Sequence, residues 1–357
     1  MPIFEPTAIA QVALHRVGNK ATDEGYVLAN SLLELDDALQ EVLTHYFITP
    51  FKADEYYNLY DLDGEPNEVF ACVQAIFDDS DSLLERSRQL AERLYEASVH
   101  PNIKAGDFFV VYFSDCLLNG EKTDAVGLFK AENRDHYLKV LRDEEHWSRE
   151  EDDKHATADF HVDIDKGINI NKLDKGAIVF NSEKEKGYVV SVVDATNRGS
   201  DAIYWKDNFL QIKQRQDEYY NTHQVMQAYK TFVTEELPQE YEMSKADQAD
   251  LLNRSVNFFK QNDNFDMGDF ARDVLAEPEV IDKFAQFKQH YEQENDVEIP
   301  EQFDISESAV KKQARVFKSV IKLDKNFHIY VHGNRQLIEQ GEDEKGKYYK
   351  VYYKEES

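Results

Sequence analysis

A 357-residue chain with 70 acidic and 41 basic residues carries a formal net charge of −29, so it repels nucleic acid over most of its surface and confines any phosphate contact to a patch. Its hydrophobic content of 41%, with 12% aromatic, supplies real cores and excludes a disordered acidic tail. No apolar run approaches the roughly 20 residues that span a bilayer, and the start, MPIFEPTAIA, lacks a secretory leader, so a cytoplasmic protein without membrane association is expected.

The length suits two or three domains, and the pattern reads as α+β. Residues 1–142 form a mixed N-terminal domain. Leu39, Val42, Leu43, Tyr46 and Phe47 keep helical spacing, as do Leu83, Leu84, Leu90, Leu94 and Tyr95 after the capping run Asp79 to Ser82. Phe108 to Phe113 and Ala125 to Phe129 read as paired strands of one sheet. Cys72 and Cys116, far apart in apolar strings, read as reduced buried side chains, with neither a disulfide framework nor a CxxC metal pair.

Residues 143–159 hold eight acids and two bases, too polar to bury, and mark an acidic linker or loop. In 160–207 the runs Phe160 to Ile164, Ala177 to Asn181 and Tyr188 to Val193 suggest an antiparallel meander, open to being continuous with the first domain. Helical patterning fills 208–295. Tyr219, Val225, Met226, Tyr229, Phe232 and Val233 make one stripe; Ser244 with Asp247 makes a capping box; Pro278 suits a first turn ahead of Ile281, Phe284 and Phe287. Residues 296–357 then give a basic helix, a strand from Phe327 to His332, and a hairpin turned by GEDEKG.

Charge singles out one segment. Between Ala309 and Gln336 stand Lys311, Lys312, Arg315, Lys318, Lys322, Lys325 and Arg335 against one acid, Asp324. Lys311, Arg315, Lys318 and Lys322 are spaced i, i+4, i+7, i+11, and Val310, Ala314, Phe317 and Ile321 repeat one residue earlier. As a helix this is amphipathic with a cationic ridge that tracks phosphates without reading bases; an ordinary solvated face gives the same pattern. The acidic run Glu292 to Glu307, directly before it, is placed to fold back and compete with DNA.

Other chemistry is thinly supported. GxxxxGK[ST], GxGxxG, HExxH and CxxC are missing, so no cofactor is expected. His161, Asp163 and Asp165 alternate on one strand face that suits a divalent cation or plain solvent. Asp124, Lys130 and Glu132 offer acids and a lysine, but in an order that metal nucleases do not use.

Six stretches carry a resemblance: IAQVALHRVG (9–18), ANSLLEL (29–35), AVGLFKAE (125–132), ININKLDKGAIVFN (168–181), GYVVSVVD (187–194) and IKLDKNFHIYVHGNRQ (321–336). In order and spacing the chain resembles bacterial nucleoid-associated proteins of the NdpA type. The resemblance implies a nucleoid location and double-stranded DNA binding, with no catalytic residues to carry over. A non-enzymatic, non-specific DNA binder using the seven basic residues is therefore the first expectation. The alternatives are an acidic adaptor that reaches the nucleoid through a basic or DNA-associated protein partner, and a metal-dependent nucleic-acid hydrolase.

Overall fold

The computed structural model describes residues 8–353 apart from 53–54, 63, 119, 143–147, 150–155, 197–203, 318, 324–326, 332–336 and 345. It is a mixed α+β protein that divides into two compact units, 1–214 and 215–357.

The first unit is built on strands that are apolar on both sides. Its elements are β1 (Ala8–Val17), β2 (Tyr26–Val27), α1 (Asp37–Ile48), β3 (Tyr56–Leu59), α2 (Glu68–Asp78), α3 (Leu83–Ala97), β4 (Gly106–Leu118), β5 (Glu121–Ala131), β6 (Asp135–Arg142), β7 (Ser148–Arg149), β8 (Ala156–Thr157), β9 (Phe160–Gly167), β10 (Lys175–Phe180), β11 (Val189–Asp194) and β12 (Ile212–Gln214). Eight of these form one antiparallel sheet in the order β12-β3-β11-β10-β5-β4-β1-β2. Alternation sends Phe108, Val110, Val126, Leu128, Ala177 and Val179 to a core shared with α2, α3 and a π-helical turn at Tyr204–Leu210. Phe109, Val111, Phe113, Phe129 and Ile178 point the other way, onto Leu43, Tyr46 and Phe47 of α1. A sheet covered on both faces demands continuous apolar strands, which is why FFVVYF does not alternate with polar residues. The expected pairing of the two runs is found, with Phe113 opposite Ala125 and Phe109 opposite Phe129. Both cysteines are buried and free, and burial pushes the Cys72 thiol up to about 11.

One expectation for the middle of the chain is corrected. The strand from Phe160 pairs with β6, Arg142 opposite Phe160 and Asp135 opposite Gly167, and not with β10; only β10 and β11 form the hairpin expected of a meander. The acidic stretch 143–159 is enclosed by paired strands, β7 and β8 pairing within it, and the division between the two compact units falls between Gln214 and Arg215. Cross-strand pairing can return a chain to its starting point, so a polar stretch marks exposure rather than a domain end.

His15 shows how this unit tolerates a buried polar side chain. It is 2% exposed; its Nδ1 accepts from Ala29 N at 3.0 Å, which leaves Nε2–H to donate to Ser87 Oγ at 2.9 Å, and Ser87 in turn donates to Leu84 O at 2.8 Å. Burial, with Arg88 nearby, lowers its pKa to about 4. The unfolded chain takes up this proton near pH 6.5 and the folded chain only near 4, so stability falls as pH drops through that window, by up to about 3 kcal/mol. Chemical denaturation at pH 7 and pH 4.5 is expected to show a smaller loss for His15→Gln than for the native chain.

The second unit contains α4 (Glu218–Thr231), α5 (Leu237–Glu240), α6 (Lys245–Gln261), β13 (Asn264–Asp266), α7 (Met267–Phe270), α8 (Pro278–Asn295), β14 (Gln302–Asp304), α9 (Glu307–Val316), β15 (Ser319–Lys322), β16 (His328–Val331), β17 (Ile338–Asp343) and β18 (Gly346–Val351). All six residues of the α4 stripe are buried. The capping box of Ser244 and Asp247 starts α6, and Pro278 opens α8. Val225, Met226, Tyr229, Phe232, Phe258, Phe259, Phe270 and Phe284 build an aromatic-rich core that also takes Val310 and Phe317. The basic helix thus belongs to the helical core.

Candidate nucleic-acid interface

Helix α9 begins where Ser306 accepts from Ala309 N, with Ser306 N anchored to the buried Thr222 hydroxyl of α4 at 3.0 Å. Ala309, Val310, Gln313 and Phe317 are buried, which turns the opposite side outward. That side carries Lys311, Lys312 and Arg315, all exposed. Lys311 Nζ lies 2.9 Å from Glu307 Oε2 one turn back, and its ammonium holds the Glu307 carboxyl below the usual range. The pair is open to solvent, so salt and a competing phosphate both weaken it. Lys312 Nζ donates to Tyr219 Oη at 2.8 Å, so its ammonium is positioned by a buried tyrosine.

The continuous cationic ridge is not formed. The helix ends at Val316; Phe317 caps it and sinks into the core, and Ser319–Lys322 is a strand paired with β16, Lys322 opposite His328. The β-branched pair Val320 and Ile321 suits that ladder better than a further helical turn. Lys318, Lys325 and Arg335 lie outside the described residues. Within the acidic run, Glu307 meets Lys311 of α9, whereas Glu301 and Glu292 reach Lys288 at 2.6 and 3.8 Å and Glu294 meets His290 at 3.0 Å.

The first unit holds a cluster that spacing did not reveal. Lys130 on β5 stands directly opposite Lys175 on β10, which stands opposite Asp194 on β11, and both lysines are fully buried. Like charges facing across a ladder repel. Glu132 relieves this, with Oε1 at 3.2 Å from Lys130 Nζ and Oε2 at 3.7 Å from Lys175 Nζ, while Asp194 takes Lys175 at 2.9 Å. Tyr204 donates to Glu132 at 2.6 Å, and Lys130 donates to Lys104 O at 2.9 Å. Asp174 fixes the backbone beside them by accepting from the N–H groups of Glu132 and Asn133, at 2.6 and 2.8 Å. Burial holds the Lys130 ammonium below the ordinary lysine range, against the pull of Glu132. The signal was present as a lysine inside each apolar strand, in LFKAE and LDKGAIVF.

The model of one protein family, described as NA37, nucleoid-associated protein YejK, matches residues 13–346 and so runs through both units, the buried cluster and α9. The chain belongs to the YejK family. NdpA is another name for YejK, so the resemblance read from the six stretches holds. No curated protein matches the chain. The buried cluster lies within two of those stretches, 125–132 and 168–181, and at the end of a third, 187–194. In this YejK-family chain those strings are therefore supports of the sheet, and the surface cations of α9 lie elsewhere.

The two suggested metal clusters fare differently in this family member. Asp124 accepts from Tyr112 Oη at 2.8 Å and from Asp115 N at 3.1 Å, clamping a bulge of β4 where Asp115 has φ 54°, whereas Lys130 and Glu132 sit in the buried network at the other end of β5. The triad is not assembled. His161, Asp163 and Asp165 do share a face of β9, His161 pairing with Asp163 at 2.8 Å and Asp165 accepting from Tyr137 Oη at 3.2 Å. Among the described residues no group of three or more His, Cys, Asp and Glu is placed to hold a metal ion, and no helix is long and apolar enough to cross a membrane.

Proposed function

We propose that this nucleoid-associated protein is a non-enzymatic binder that contacts double-stranded DNA through phosphates, without reading sequence, at α9. Membership of a nucleoid-associated family supports the target. The observation that carries the site is the outward row Lys311, Lys312 and Arg315 on a helix locked into the core, in a chain otherwise strongly acidic. Lys318, Lys322, Lys325 and Arg335 follow closely enough in sequence to extend the same contact. Point charges of this kind neutralise phosphates and release counterions, with a slope of log affinity against log salt near −0.9 per contact. Fluorescence anisotropy on a mixed-sequence duplex across salt is expected to give a slope of about −2.7 for α9 alone and about −6.3 with all seven residues engaged. A salt-independent affinity would remove the proposal.

The charge of −29 favours a second reading, an adaptor that docks its acidic surface on a basic or DNA-associated protein. Pull-down with and without nuclease separates the two, since partners that disappear on nuclease treatment are bridged by DNA.

A further inference from the structure

β6 and β9 form an eight-pair antiparallel ribbon in which every residue of β6, and all but Gly167 of β9, is exposed. Its two faces differ. Leu138, Val140, Phe160, Val162 and Ile164 share one, each between 53% and 73% exposed, with Leu138 opposite Ile164 and Val140 opposite Val162. His136, Arg142 and Lys166 flank them at the ends of the same face; the other carries Leu141, Lys139 and the polar pairs His161–Asp163 and Tyr137–Asp165. A two-stranded ribbon alone is marginal in water, and five large apolar side chains on one face add to the cost of leaving it bare. We infer that this ribbon is a dimerisation arm whose apolar face is covered by a second copy of the chain.

The centre of this face is apolar, its bases stand only at the two ends, and the stretch carried between the ribbon's strands, 143–159, holds eight acids and two bases, which opposes DNA as the occupant. Area decides for a second copy. Strands of eight residues make a face about 27 Å long and about 10 Å wide, so one arm seated once removes only about 540 Å² from water in total. That lies within the range of incidental contacts; a specific interface needs about 1,000 Å² or more. Two identical chains related by a two-fold axis make the contact twice, about 1,080 Å², and reach it. The same unit offers a seat. Leu39 and Val42, one turn apart on α1, and Ile170 are exposed, and His45 bonds Asn171 at 3.3 Å, which sets this apolar patch beside the foot of the ribbon. Each arm then crosses its partner's foot. Dimerisation also gives one particle two copies of α9, which raises avidity for a long polyanion without a new contact type.

Sedimentation velocity of the full chain over a wide concentration range tests this. Twice the chain mass of 41.6 kDa is expected. Val140→Asp with Ile164→Asp, and separately Leu138→Lys, are expected to weaken association at least about a hundredfold, while the midpoint of urea unfolding followed by tryptophan emission stays at the native value and shows the first unit still folded. Lys139→Ala, on the polar face, is expected to leave the dimer intact. A native chain that stays monomeric throughout, or face variants that remain dimeric, overturns the inference; a monomer that instead retains a different protein through this face would assign the ribbon to that partner.

Discussion

Replacing Glu132 with Leu is expected to destabilise the first unit by about 3–5 kcal/mol, the cost of breaking a buried ion network by removing one member. Glu132 is 5% exposed at its side chain and faces both Lys130 and Lys175. Two ammonium groups and two carboxylates, Glu132 and Asp194, balance within a few ångströms. Without Glu132 one positive charge is left in low dielectric, with its like-charged neighbour directly across the ladder. Tyr204 is also deprived of its acceptor, and with it goes one tie between the π-helical turn and the sheet. Both tryptophans, Trp147 and Trp205, lie in residues 1–214, so tryptophan emission during urea unfolding follows this unit alone.

The control separates charge imbalance from poorer packing. Glu132→Leu combined with Lys130→Met restores neutrality and leaves the Lys175–Asp194 pair intact. Recovery of at least half the stability deficit, about 1.5–2.5 kcal/mol, is expected, so the coupling in the double-mutant cycle is at least that large. Full additivity of the two substitutions would show that the residues act independently and that the network is a coincidence of packing.

Much of the α+β order was legible, and the failures have physical causes. Helices announced themselves through local rules: the Ser244–Asp247 box, Pro278, and the α4 stripe each lie within a few residues of what they control. Adjacent strands such as β4 and β5 were legible for the same reason. The pairing of β6 with β9 was not, since it skips 17 residues whose polarity resembles a linker. The end of α9 was missed because Phe317 continues the helical spacing while serving as a buried cap. The burial of Lys130 and Lys175 was not legible either: a lysine in a strand is ordinarily exposed, and only the cross-strand register reveals that both are enclosed.

Lys311→Gln, Lys312→Gln and Arg315→Gln together are expected to lower duplex affinity at 0.1 M salt by about 500-fold, since each phosphate left without its cation forgoes about 0.9 decade of counterion release relative to 1 M salt. The effect should shrink as salt rises, and the slope should flatten by about 2.7. Stability should change little, because all three side chains project from the outer side of α9 while Val310, Gln313 and Phe317 hold the helix in place. Lys312 is the informative member. Its bond to Tyr219 fixes the ammonium near the helix and restricts its reach, so Lys312→Gln alone should cost less than Arg315→Gln. If the triple variant retains native affinity and slope, DNA phosphates are held outside α9, and the test moves to Lys318, Lys322, Lys325 and Arg335. If the native chain has no measurable slope at all, its net charge of −29 governs the encounter with DNA, and the acidic surface must reach the nucleoid through a protein.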